Sequence, residues 1–293
     1  MINILITVFL VFLSFETGQA CELMGFSFDR KIPANNIFQS FRFRDKNNPD
    51  GWGVAYYPDK ALQVFKEPKS ASQSEFAEFL RSYKDLRSKI FLSHVRKSSV
   101  GGVAHKNTHP FFRAQNGKRY ALIHNGNLWD FKEKLPLQVY KPIGKTDSEH
   151  MFLYLLERIK ERNIQDWTQE DFNWVYSEFL KINELGLLNV LFTNGKLLFV
   201  YHDKDDFSSL YYIKRKGPFR NVYYRELKKD IEQHKIYEPS TKGYIVATTP
   251  LTLENWAEMN PGELLVFKKG EIIFQKKGDS FTRKSRLYDW IYE

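Results

Sequence analysis

The chain has 293 residues, 42% hydrophobic and 16% aromatic, with a formal net charge of +9. That is ample for a substantial core in one or two domains, while a single cysteine excludes an internal disulfide framework. The basic balance raises the question of nucleic acid. However, Lys and Arg are interleaved with Asp and Glu, and the densest basic stretch, Lys268 to Arg286, alternates with apolar and acidic residues. It reads as a solvated strand-and-tail face, so no nucleic-acid partner is expected.

Residues 4–15 (ILITVFLVFLSF) form an apolar run followed by Gly18-Gln19-Ala20 and then Cys21. This is the layout of a secretory h-region and its cleavage site, although Met1-Ile2-Asn3 supplies no basic n-region. The run is shorter than the ~20 residues of a membrane span, so no integral span is expected after processing. The expectation is a removable leader over 1–20 and an exported, periplasmic or secreted, product. A cytoplasmic product remains open if the leader is of another kind. Two other readings stay open: a buried core segment, or a lipid-modified Cys21, against which Gly18 stands where a lipobox prefers Leu.

Residues 24–29 and 52–57 read as short strands, with the turn sequence Asn48-Pro49-Asp50-Gly51 between them. Residues 60–66 alternate and read as the next strand of a hairpin. A helix is predicted over 74–83, with Phe76, Phe79 and Leu80 on one face. Strands follow at 89–95 and 120–124, separated by a polar, Gly-containing loop over 96–108. Thr146 or Asp147 caps a helix running through Glu161, whose apolar stripe is Met151, Phe152, Leu155, Leu156 and Ile159. Thr168 and Asp171 open a second long helix as an approximate capping box. Thr193-Asn194-Gly195 joins a hairpin, and later strands fall at 210–214, 243–248, 264–268 and 272–275. Helices bracketed by many strands, with 25 Phe and 16 Tyr to fill them, indicate an α+β fold with layered sheets.

Seven histidines show no metal-ligand spacing, and there is no P-loop, GxGxxG after a strand or GxSxG. No metal and no cofactor is expected. Four segments stand out instead: Cys21; Ser93-His94-Val95-Arg96; His124-Asn125-Gly126-Asn127; and Thr146-Asp147-Ser148-Glu149. If cleavage follows Ala20, Cys21 carries a thiol and a free α-amine on one residue. Hydrolysis of a glutamine-like amide needs a nucleophile, donors for the oxygen that becomes negative, an arginine for the α-carboxylate and a carboxylate for the α-ammonium. The four segments supply one of each. Taken singly, each has an ordinary reading: a buried thiol, a hairpin turn at Asn125-Gly126, a helix cap at Asp147, and a surface ion pair at Arg96.

Taken together and in this order, the segments resemble a class II glutamine amidotransferase domain of the N-terminal-nucleophile hydrolase superfamily. The similarity is to the stand-alone subfamily whose mature proteins begin Cys-x-Leu-x-Gly. The matching stretches are Cys21-Glu22-Leu23-Met24-Gly25, Asn48-Pro49-Asp50-Gly51-Trp52-Gly53, His94-Val95-Arg96, Asn107-Thr108-His109-Pro110, His124-Asn125-Gly126, Thr146-Asp147-Ser148-Glu149 and Thr249-Pro250-Leu251-Thr252. The resemblance implies a four-layer αββα sandwich, two stacked antiparallel sheets flanked by helices, over residues 21–280, with a tail at 281–293. It also implies that Cys21 is the nucleophile, Asn125 and Gly126 form the oxyanion hole, Arg96 and Asp147 bind the amino-acid end of the substrate, and Thr108 and His109 shape the pocket.

There are two departures from the pattern. Ala20, not an initiator Met, precedes Cys21, so exposure of the cysteine requires peptide cleavage. Ser99 and Val100 stand where many relatives carry Thr, His or Gln. The resulting expectation is an amidohydrolase that cleaves glutamine or a γ-glutamyl amide through a Cys21 thioester, with a small molecule as its partner and its oligomeric state open. The rivals are a non-catalytic or lipid-anchored relative that binds γ-glutamyl compounds or peptides, and an N-terminal-nucleophile hydrolase of another amide. The free thiol, near pKa 8.5, is expected to need only a modest downward shift to react.

Overall fold

The structure is a computed structural model that describes residues 21–278. The expected leader at 1–20 and the tail at 281–293 lie outside the described residues.

Strand β1 (Glu22–Pro33) opens the fold and runs into helix α1 (Asn35–Arg42). Strands β2 (Gly51–Tyr56) and β3 (Gln63–Glu67) form the expected hairpin. Helix α2 (Glu75–Ser82) is capped by Ser74, whose hydroxyl accepts from the Ala77 amide at 2.9 Å. Strand β4 (Arg87–Arg96) precedes the long loop, and β5 (Phe111–Gln115) pairs with β6 (Lys118–Asn125). A single helical turn, α3 (Phe131–Lys134), is followed by the two long helices α4 (Asp147–Glu161) and α5 (Gln169–Asn183). Thr146 caps α4, and Thr168 with Asp171 makes a reciprocal capping box on α5. Strands β7 (Asn189–Thr193) and β8 (Leu197–Tyr201) flank the Asn194-Gly195 turn, and β9 (Tyr211–Lys216) follows. A separate ribbon, β10 (Asn221–Tyr224) and β11 (Lys229–Glu232), comes before β12 (Lys242–Ala247), the short β13 (Ala257–Glu258), β14 (Leu264–Lys268) and β15 (Glu271–Lys276).

Two antiparallel sheets carry the structure. One runs β13-β9-β12-β1-β4-β2-β3 and the other β15-β14-β8-β7-β6-β5. Period-two alternation divides the side chains into three apolar layers. In β1, Met24, Phe26 and Phe28 pack outward beneath α1 and α2, whereas Leu23 points between the sheets. In β6, Tyr120 and Leu122 face α4 and α5, whereas Ala121 and Ile123 point between the sheets. The architecture is therefore the four-layer αββα sandwich.

In the first sheet β4 lies between β1 and β2. Several local expectations are corrected. Phe79 does not share the buried face of α2: it is 52% exposed while Leu80 is fully buried. The segments that became α1, β5 and the β10–β11 ribbon carried too little alternation or capping to be read as elements. Asn125-Gly126 does not form a tight hairpin turn either. Asn125 ends β6 opposite Asn189 of β7, with helices α4 and α5 intervening in the chain.

Candidate active site

The site forms where the same edge of both sheets comes together. Cys21 sits immediately before β1, two residues from Leu23, which points between the sheets. The carboxylate of Glu22 holds that end of the strand. It accepts from the Thr248 hydroxyl at 2.6 Å and the Thr249 hydroxyl at 3.2 Å, and it pairs with Arg44 at 3.3 Å. Arg44 also donates to the Thr249 and Pro250 carbonyls. The 248–250 segment thus clamps the start of β1.

The Cys21 sulfur lies against the backbone of Lys97, receiving its N–H at 3.3 Å and donating to its carbonyl at the same distance. Burial pushes the thiol up to about 11. The Lys97 amide and the Arg96 charge oppose this only in part, and Asp147 reinforces it. With Cys21 joined to the preceding peptide the thiol is a poor acid, because nothing near it outweighs desolvation.

Arg96 ends β4 opposite Gly51 and is almost fully buried. Its guanidinium donates to the Val100 carbonyl at 2.9 Å and the Gly102 carbonyl at 3.2 Å. Burial works against its charge, and Cys21, Asp50 and Asp147 work for it. Asp50 also fixes the loop after Arg96 by accepting from the Ser98 amide at 2.8 Å. Asp147, the first residue of α4, is equally buried and accepts from the Leu128 amide at 2.9 Å. Cys21, Arg96 and Asp147 therefore lie within electrostatic reach of one another.

Asn125 shares the inter-sheet parity of Ala121 and Ile123. Its side-chain Nδ2 is buried and has no hydrogen-bond partner among the described residues. Gly126 has φ +152°, and a Cβ there would lie 1.9 Å from the Leu187 carbonyl oxygen, so only glycine fits. The Asn125-Gly126 corner is tied to β1 through β4. His94 pairs with Leu23 in the ladder, and its Nε2–H donates to the His124 carbonyl at 3.1 Å. The His124 ring lies on the helix side, where Nε2–H donates to Leu187 O at 3.1 Å and Nδ1 meets the Ser148 hydroxyl at 2.9 Å. Ser99 donates to Asn127 at 2.7 Å, joining the loop beside Cys21 to the segment after Gly126.

Thr108 and His109 are brought to the same region. Thr108 is buried beside Gly51, and its hydroxyl donates to Ala104 O at 2.9 Å. His109 packs against His94 with ring centroids 4.2 Å apart and planes tilted by 36°, and burial drives its pKa well below the usual value. His94 is lowered to about 3, chiefly by burial and then by Arg96. Both rings are neutral near pH 7. Gly53 permits this packing: a Cβ there would lie 2.2 Å from the His109 carbonyl oxygen. Cys21, Arg96 and Asp147 thus share one electrostatic neighbourhood, Thr108 and His109 pack beside Gly51 and His94, and Asn125-Gly126 follows His124, whose carbonyl His94 contacts. Sequence reasoning passed over Glu22, His94, Asn107, His124 and Thr248. Except for Thr248, these lay in the quoted motifs, and the signal was strand parity, which places His94 in line with Arg96.

The profile for class-II glutamine amidotransferases matches residues 20–288. The chain belongs to that family. Relatives agree over most of its length. Protein MJ1515 of Methanocaldococcus jannaschii is 40% identical over 257 residues, covering 88% of this chain and 72% of its own. The Escherichia coli protein YafJ is 29% identical over 259 residues, covering 86% of this chain and 98% of its own. A Pseudomonas aeruginosa protein, described as a predicted glutamine amidotransferase, superposes with a TM-score of 0.66 at 26% identity, over 87% of this chain and all of that one. The glutamine phosphoribosylpyrophosphate amidotransferase of Bacillus subtilis shares the fold at 18% identity and a TM-score of 0.59, over 89% of this chain and 50% of its own. Family membership and fold place the chain among N-terminal-nucleophile hydrolases. Among the described residues, no group of three or more His, Cys, Asp or Glu could hold a metal ion, and no helix is long and apolar enough to cross a membrane.

Proposed function

We propose that, once Cys21 becomes the N-terminus, the protein hydrolyses the side-chain amide of glutamine or of a γ-glutamyl compound. The observation that carries this reading is the buried, unpartnered Asn125 amide beside Gly126, at the same inter-sheet edge as the only cysteine. A buried donor left without a partner costs roughly 1–3 kcal/mol. It is explained here by a substrate oxygen that becomes negative during the reaction.

In this mechanism the Cys21 α-amine, with an ordinary pKa of about 7.7–8.0, removes the thiol proton. The sulfur attacks the amide carbon, and Asn125 Nδ2 and the Gly126 N–H receive the oxyanion. The protonated amine returns its proton to the departing ammonia, leaving a thioester that water hydrolyses. Arg96 binds the α-carboxylate and Asp147 the α-ammonium. Thr108 and His109 wall the pocket. The Val100 and Gly102 carbonyls take one donor each from Nη2 and Nη1 of Arg96, leaving the remaining guanidinium N–H groups for the substrate carboxylate.

The sequence of residues 4–20 supports removal of a leader and export. In that setting simple hydrolysis, rather than delivery of ammonia to an acceptor, is the activity proposed. A glutamine-mimicking diazoketone tests the assignment. The chain beginning at Cys21 should gain one covalent adduct, on that residue, as read by peptide mass spectrometry. Labelling elsewhere, or none, would refute the nucleophile.

A further inference from the structure

We propose that Asn107 is a positioning residue that sets the distance between the two charged groups gripping the substrate. This inference rests on the reading of Arg96 and Asp147 given above. Asn107 is fully buried on a short 3-10 turn, His105–Asn107, within the loop after β4. Its carboxamide bridges the loop after β4 and the turn that precedes α4. On one side Nδ2 donates to the Gly101 carbonyl and, at 3.4 Å, to the Gly102 carbonyl. Gly102 O is also the acceptor of Arg96 Nη1. On the other side Oδ1 accepts from the Lys145 amide at 3.0 Å. Lys145 immediately precedes Thr146, the cap of α4, and Asp147 follows as the first helical residue.

One side chain thus connects the carbonyls that orient the guanidinium to the turn that delivers the carboxylate. The task needs a donor and an acceptor on one short, planar group. Aspartate would set a negative oxygen against the Gly101 and Gly102 carbonyls. Alanine would leave the Gly101 carbonyl and the Lys145 amide unpaired. An amino acid carries both its charged groups on a single carbon, so the protein groups that meet them tolerate little relative drift. A misplacement of about 1 Å can cost on the order of 10²-fold. Because the nucleophile and Asn125 are held by other contacts, the loss should fall on binding rather than on the chemical step.

The test is steady-state glutamine hydrolysis by the chain beginning at Cys21, with Asn107→Ala and Asn107→Asp measured alone and combined with Arg96→Ala. Asn107→Ala should raise KM about 10- to 100-fold and change kcat less than about threefold. In the Arg96→Ala background the same substitution should lower kcat/KM less than about threefold, because the group it positions is gone. If the alanine variant does not fold, Asn107→Asp, which retains the acceptor for Lys145, decides by the same two criteria. An unchanged KM, or a loss that multiplies fully with that of Arg96→Ala, overturns the inference while Arg96 and Asp147 keep their roles. If Arg96→Ala and Asp147→Ala themselves leave KM unchanged, the reading beneath it fails and the inference falls with it.

Discussion

The His94 ring donates to the His124 carbonyl at 3.1 Å, linking strand β4 of one sheet to the end of strand β6 in the other. His94 faces Leu23 in the ladder, and His124 directly precedes Asn125. The hydrogen bond therefore holds the oxyanion corner against the strand that begins beside the nucleophile. It also fixes the tautomer, since a carbonyl can only accept.

Replacing His94 with leucine leaves that buried carbonyl without its donor. Stability should fall by about 1–3 kcal/mol, read from denaturant unfolding. Turnover should fall about tenfold through kcat, because the corner relaxes. His94→Gln, which can still donate, should recover part of both.

Burial of neutral His94 also makes the fold acid-sensitive. Its folded pKa is about 3 and its unfolded value 6.5, so between these the unfolded chain binds more protons. Stability should be complete above pH 6.5 and decline as the pH drops from 6.5 towards 3. In His94→Gln the slope of unfolding free energy against pH should be shallower across that window.

Asn125→Ala separates activity from stability. Removing one oxyanion donor should lower kcat by about 10²–10³. The melting temperature should stay level or rise, because the lost group is a buried donor with no partner among the described residues. Gly126→Ala should differ: the new Cβ meets the Leu187 carbonyl, and both stability and turnover should be lost.

The pH dependence of alkylation reports the state of Cys21. While the preceding peptide is attached, the thiol sits near 11. Labelling by iodoacetamide should be slow at pH 7 and rise about tenfold per pH unit up to pH 10 without a plateau. Once the α-amine is free, labelling should level off near the amine's own pKa of about 7.7–8.0.

The long helices and central strands were legible because their signals are local. Thr146 and Thr168 cap α4 and α5, and short apolar runs mark β2, β4 and β6. The candidate site residues could be named because they fall in short motifs at or near element ends. Electrostatics were not legible. A cysteine's sequence neighbours do not disclose how much low-dielectric protein surrounds it, and burial is what drives the thiol up rather than down. Nor could the sequence show that His94 crosses to the other sheet, or that Asn107 spans two loops, because both depend on how the sheets stack. Phe79 was misplaced for a related reason. Helical spacing groups it with Phe76 and Leu80, but the width of the buried stripe is set by what α2 packs against.

The most direct measurement compares glutamate release from glutamine by two preparations of this chain, one starting at Cys21 and one retaining residues 1–20 through an uncleavable junction. The first should turn over and the second should be silent at the same protein concentration. Equal rates from both would contradict the central claim, since no free amine would then be needed to activate the sulfur.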